Sequence, residues 1–343
     1  MRAAFAGGRG YLAACTGGLP PRAAHEALRR DLERSVTEGP DLGAYSDDVE
    51  ASRGHIARLL GVSPARIAIG SQTSVQVSLL AASLPIGAEV VCAEADFSSL
   101  LLPFAHAGRD LRLRSVPLAE LPGAVTAQTA LVAFSLVQSA TGEVADIAAI
   151  SAAARAVGAL TLCDGTQAVG WMPVDAGLVD AFVVHSYKWL CAPRGVAFLA
   201  LAPRLAAALR PAQAGWYAGA DPWRSCYGSE VELASDARRF DVSPAWQAFV
   251  GARPALALFA HADVAAIHAY TTGLAGRFAA RIGLPVAARP TAIVTWSDPD
   301  GRDLAALRAA GLVVSGRAGR ARVAFHVFND DEDVDTAAAS LGR

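Results

Sequence analysis

Short apolar runs recur along the chain, each ending in a polar or glycine-containing turn. They fall near residues 67, 91, 114, 133, 162, 183 and 197 and read as buried strands. Segments of helical periodicity separate most of them. The pattern therefore predicts an α/β fold, a large domain with a seven-stranded, mainly parallel sheet flanked by helices. Two helices precede the sheet, over 23–36 and 47–60, and Gly61 with Pro64 just beyond stops the second. The Ala-rich stretch 246–280 reads as one long helix. Beyond Leu284, strands over 293–296, 312–315 and 322–327 alternate with helices over 303–310 and 332–341, a small α+β domain. The expected organisation is an N-terminal arm over 1–20, a large domain over 21–250 and a small C-terminal domain over 251–343.

Composition narrows the function classes. Of 343 residues, 53% are hydrophobic and 18% charged, which predicts a folded protein. The formal net charge of −2 gives no reason to expect nucleic acid or an anionic membrane as partner. Five scattered cysteines form no CxxC pair and no Cys/His cluster, so neither zinc nor a disulfide framework is expected, and a reducing compartment fits. The early apolar residues are interrupted by Gly7-Gly8-Arg9-Gly10, which argues against a signal peptide, and no apolar run reaches membrane-spanning length. A cytoplasmic location is the expectation. Gly8-x-Gly10-x-x-Ala13 echoes a dinucleotide fingerprint, but no strand precedes it and no acidic residue follows at the required distance.

The chemistry concentrates between Leu160 and Leu199. Asp164 ends one apolar run, and Lys188 follows another within His185-Ser186-Tyr187-Lys188-Trp189. Ligands of open α/β sheets bind beyond the carboxyl ends of the strands, so both side chains are expected to face one crevice. A lysine and a carboxylate there suit pyridoxal phosphate: the amine condenses with the aldehyde, and the carboxylate keeps the ring nitrogen protonated so that the ring accepts electrons. The plainer alternative is an Asp-Gly turn and a surface lysine beside a core aromatic. Upstream, Gly70-Ser71-Gln72-Thr73-Ser74 joins a strand to an apolar helix. Such a turn is either an anion site, where free N–H groups meet the helix dipole, or an ordinary cap made by Ser71 or Thr73.

Asp164…Gln167 and His185-Ser186-Tyr187-Lys188 resemble the signature of the class V aminotransferase and cysteine desulfurase family, of the type I pyridoxal-phosphate fold, and the likeness extends over nearly the whole chain. The resemblance implies Lys188 and Asp164 as catalytic residues and pyridoxal 5'-phosphate as cofactor. It implies Ser71 and Gln72 at the cofactor phosphate, and Phe97 stacked on the pyridine face, where a core phenylalanine is the competing reading. Gln167, with His185 and Tyr187, would hold the cofactor's oxygen and phosphate. The family often has an asparagine where this chain has Ser139, beside Gln138, so Ser139 is the candidate substrate contact. The arm, with Tyr11-Leu12, would pass the active site. Arg238-Arg239-Phe240-Asp241-Val242-Ser243 matches a stretch whose hydroxyl reaches the neighbouring subunit's cofactor phosphate, which implies a homodimer with shared sites through Ser243; opening the next helix is the alternative. Arg322 would bind the α-carboxylate of a small amino-acid substrate, with Arg317 and Arg320 nearby. Cysteine desulfurases of the family carry a nucleophilic cysteine on the loop before that arginine; here Ser315–Ala321 has none, and Cys226, beside Trp216, Tyr217 and Trp223, is the remaining candidate. An aminotransferase is the leading expectation, a carbon–sulfur lyase or desulfurase-like enzyme the second, and a non-catalytic binding protein on the same scaffold the third.

Overall fold

The computed structural model describes residues 1–342. Seven strands form the large sheet: β1 (Ile67–Gly70), β2 (Glu89–Ala93), β3 (Arg112–Val116), β4 (Thr129–Ser135), β5 (Leu160–Asp164), β6 (Ala181–His185) and β7 (Ala197–Leu201). Their spatial order is β1-β7-β6-β5-β4-β2-β3. Only β7 runs against its neighbours, so the other six strands end at one edge. Alternate residues feed two cores. In β4, Val132 and Phe134 join the cluster on one face, and Leu131 and Ala133 join that on the other. This two-sided burial explains why the strands read as continuous apolar runs. At the sheet edge β3 is partly exposed and carries Arg112 and Arg114, charges that discourage further strand pairing.

The helices are α1 (Arg22–Glu38), α2 (Leu42–Leu60), α3 (Thr73–Ser83), α4 (Ser98–Ala105), α5 (Leu121–Ala124), α6 (Ile147–Val157), α7 (Pro203–Ala208), α8 (Trp246–Ala260), α9 (Val264–Arg281), α10 (Arg302–Ala309) and α11 (Asp331–Ser340). Gly61 stops α2 in the left-handed conformation at φ 67, and Asp146 caps α6 by accepting a hydrogen bond from Ala149 N at 3.0 Å. The expected single helix over 246–280 is a correction: α8 and α9 meet at 88°. Asp263 makes the break, because its carboxylate accepts from Ala266 N at 3.0 Å and starts a new helix. No single helix among the described residues is long and apolar enough to cross a membrane.

A second, antiparallel sheet has the order β8-β10-β9, from β8 (Ile293–Ser297), β9 (Ser315–Arg317) and β10 (Arg320–Ala324). Here too the bounds differ from expectation. Leu312 and Val314 pack into the small core without pairing in this sheet, Val313 bridges Tyr11 instead, and β9 begins only at Ser315. Likewise β10 starts at Arg320 and ends at Ala324, because Ala318 and Gly319, at φ 49 and 70, make a tight turn that fixes its register against β9. The N-terminal segment runs alongside. Tyr11 bridges Val313 and Ala13 bridges Ala324, both parallel, and Leu12 is buried in the small-sheet core.

Candidate active site

The shared carboxyl edge of the six strands gathers the chemistry-bearing residues. Asp164 is the last residue of β5, and Lys188 lies just past β6, its parallel neighbour. Both line one small cavity of about 110 Å³, together with Gln72, Phe97, Ser139, Gln167, His185 and Tyr187. Eight residues expected at the site from the sequence are thus brought together. Thr73, Ser74, Thr166 and Arg194 line it too.

Asp164 and Lys188 are buried, at 4% and 5% exposure. Burial pushes the Asp164 carboxyl up, while hydrogen bonds from Thr166, one of them from its N–H at 2.8 Å, and the Lys188 charge pull it down. Burial likewise brings the Lys188 amine down to about 8, with Asp164 opposing. Lys188 Nζ stands 5.1 Å from the Phe97 ring centroid and 5.6 Å from that of Tyr187. Phe97 is 42% exposed, so its ring borders the cavity rather than the core. Behind it Asp96 accepts from Phe97 N at 2.7 Å, Ser135 N at 2.8 Å and Ser135 Oγ at 2.6 Å, tying the ends of β2 and β4 together.

Gln167 is locked by the protein itself. Its amide donates to Cys15 O at 2.9 Å and Ser139 Oγ at 3.0 Å, and its Oε1 accepts from Trp189 Nε1 at 2.8 Å. His185 packs edge-on against Tyr187, with ring centroids 4.4 Å apart. Its Nε2 is buried without a partner among the described residues, and burial brings the ring down to about 4, so it is neutral near pH 7.

Arg322 is 1% exposed. Its guanidinium donates to Ser315 Oγ, to Ser139 O and Oγ, and to Thr16 Oγ1, all neutral acceptors. No carboxylate pairs with it among the described residues. A buried cation without a counter-charge is costly, and an anion at this point would relieve that cost. Arg320 bonds instead to Thr295, and Arg317 is exposed at the β9–β10 turn.

Arg322 does not itself line the cavity but bonds Ser139, which does; three further candidates lie elsewhere. Ser71 stays outside the cavity lining, and α3 is capped neither by Ser71 nor by Thr73: Gln72 holds the cap position without a side-chain bond, so the first N–H groups of α3 keep no side-chain partner. Ser243 is exposed and does not line the cavity. Cys226 is exposed, its thiol turned back to Pro222 O at 3.6 Å within its own loop. Sequence reasoning missed Thr166 and Arg194. Thr166 had a signal, since it stands inside Asp164-Gly165-Thr166-Gln167; Arg194 had none beyond following Lys188 in the next turn. A larger groove of about 980 Å³ runs between α9, the 284–291 segment and residues 141–146, and contains neither Asp164 nor Lys188.

A lysine and a carboxylate buried at adjacent parallel strand ends, beside an uncapped helix start and a buried arginine, define an enzyme of the type I pyridoxal-phosphate fold. The orphaned His185 Nε2 and the open α3 N-terminus fit the cofactor's phosphate end, and Asp164 fits its ring nitrogen. The family model "Aminotransferase class-V" matches residues 31–284, and the chain belongs to this family. Isopenicillin N epimerase of Streptomyces clavuligerus is 31% identical over 220 residues, covering 59% of this chain and 55% of the epimerase, so the match spans about half of that relative's length. The "uncharacterized aminotransferase YcbU" of Bacillus subtilis (strain 168) is 25% identical over 342 residues, 94% of this chain and 91% of that protein. Among solved structures, the cysteine desulfurase CsdA of Escherichia coli superposes with a TM-score of 0.85 at 19% identity, covering 100% of this chain and 96% of that one. A C-DES variant with glycine covalently linked to its PLP cofactor gives 0.88 at 19% identity, covering 99% and 98%. These two likenesses concern the fold. Together with the family they give pyridoxal 5'-phosphate as the cofactor.

Proposed function

We propose that the chain is an aminotransferase acting on a small amino acid. The reading rests above all on the buried Arg322, a planar cation aimed at Ser139 and lacking an acidic partner, which suits one carboxylate held by two parallel hydrogen bonds. The cofactor, when bound, supplies an electron sink that stabilises negative charge at the substrate Cα. Asp164, held by the Thr166 N–H, would pair with the cofactor's ring nitrogen and keep a proton there. Lys188 would hold the cofactor, and its free amine would carry a proton from and to the substrate Cα side; an amine brought down to about 8 is matched to that task at neutral pH. Phe97 and Tyr187 flank the amine and exclude water from it. Ser243, on an exposed turn, would reach the cofactor phosphate of a second copy in a homodimer with shared sites.

A persulfide route is disfavoured, since the β9–β10 turn carries no cysteine and the Cys226 thiol faces its own loop. The reading is tested by incubating the purified holoprotein with single amino acids and identifying the products. Conversion of the cofactor to pyridoxamine phosphate with release of the matching 2-oxo acid is the expected result. Release of sulfide or pyruvate with the cofactor unchanged would replace transamination by elimination. The Lys188→Ala variant is expected to fold with unchanged melting behaviour and to lose at least ~10³-fold in turnover; retained turnover would remove Lys188 from the reaction.

A further inference from the structure

The phosphate end of the site poses a question of charge. A phosphate monoester carries roughly −1.5 to −2 charge near pH 7. The start of α3 offers only a helix's partial positive charge, and His185 is neutral there. Lys188 and Arg194 are the two cations lining the cavity, and the Lys188 amine is consumed in attaching the cofactor. Arg194 has no carboxylate partner among the described residues. Its guanidinium carbon lies 4.3 Å from the Tyr187 ring centroid, and its charge is felt at both His185 and Tyr187.

The backbone goes to some trouble to put it there. Cys191, a residue with a side chain, is held at φ 55, and Gly195 at φ 93, so the chain reverses around Pro193-Arg194. Gly251 of α8 lets Pro193 approach so closely that an added Cβ would stand 2.7 Å from it. On the other side the Gly18 backbone presses on Cys191 and on the Lys188 carbonyl. The turn is thus clamped from two directions, and its outcome is an arginine held on Tyr187, without a carboxylate partner among the described residues, lining the same cavity as His185 and the start of α3.

We propose that Arg194 completes the phosphate subsite: braced on the Tyr187 ring, it adds a full positive charge and its own N–H donors to the free N–H groups of the α3 start. The inference rests on the cofactor and is independent of whether the reaction is transamination.

The test compares pyridoxal phosphate with pyridoxal, which lacks the phosphate, by absorbance titration of the full-length apoprotein. Arg194→Gln is expected to weaken pyridoxal phosphate binding by on the order of 10-fold and to leave pyridoxal binding unchanged. Arg194→Lys, which keeps the charge without the planar fork, should fall between wild type and Arg194→Gln, and decides the matter if the glutamine variant does not fold. In the wild type, added inorganic phosphate should compete with pyridoxal phosphate, and more weakly after Arg194→Gln or Arg194→Lys. Equal weakening of both ligands would mean that Arg194 acts only by bracing Tyr187, and unchanged binding of both would mean that it faces solvent; either result overturns the proposal.

Discussion

At the scale of single residues, the site is built by withholding partners from buried polar groups. Asp164 has no cation bound to it, Arg322 has no carboxylate, and His185 Nε2 has nothing within reach among the described residues. Each alone is a cost; Asp164 and His185 line one cavity and Arg322 bonds Ser139 in its wall, an arrangement that suits a ligand with a basic ring nitrogen, a phosphate and a carboxylate. The lysine shows the same logic in its titration. Burial lowers its amine from 10.5 to about 8, so the neutral, nucleophilic form is far more abundant at pH 7–8 than for a surface lysine. Capture of pyridoxal phosphate by the apoprotein should therefore speed up as pH rises and level off above about pH 8, read from the growth of the bound cofactor's absorbance in rapid mixing. A midpoint near 10.5 would mean that the amine is not buried as described.

At the scale of elements, the N-terminal segment is held by close backbone contact. An added Cβ on Gly18 would stand 2.1 Å from Lys188 O and 2.7 Å from Cys191 Sγ, whereas Gly17 has open space around it. Gly18→Ala should lower the urea midpoint by the equivalent of about 1–3 kcal/mol and loosen the cofactor, while Gly17→Ala should leave both within about 0.5 kcal/mol. Equal effects in the two variants would contradict the packing. Much of this element-scale picture was legible in the sequence. All seven strands of the main sheet fall where the apolar runs predict; in six of them burial on both faces keeps the run nearly continuous, and only the edge strand β3 is partly exposed and carries arginines. Asp164 and Lys188 could be placed because strand ends are marked by the turn that follows. The break at Asp263 was hidden, since Ala-rich composition continues across it and one capping carboxylate redirects the chain. The start of β9 was hidden too: Leu312, Val313 and Val314 have strand composition, but two of the three, Leu312 and Val314, are spent on the small core. Thr16 gave no local sign, because its partner Arg322 is distant in sequence, and Arg194 lies close to Lys188 but in no pattern that marks a site residue.

At the scale of the whole molecule, His326 ties the small sheet to the lysine turn. It lies just past β10, with Nε2 on Trp189 O at 2.9 Å and Nδ1 accepting from Val327 N at 2.8 Å, between the stacked rings of Trp189 and Phe328. That arrangement needs the neutral ring, and burial brings it down to about 4 from 6.5. Between those values the unfolded chain holds the proton that the folded one refuses, so this contribution to stability is complete above pH 6.5 and is lost as pH falls toward 4. The stability difference between wild type and His326→Gln should narrow by up to about 3 kcal/mol across that window in denaturant titrations. A constant difference would assign His326 to packing alone. The strap of N-terminal residues that links both sheets has a consequence for how the molecule is made. Thr16 leaves the ribosome 306 positions ahead of Arg322, the side chain that clasps it. At ~5–20 residues per second it waits roughly 15 to 60 s for that clasp to exist. The segment translated early is thus seated late, because its clasp exists only once Arg322 has been made.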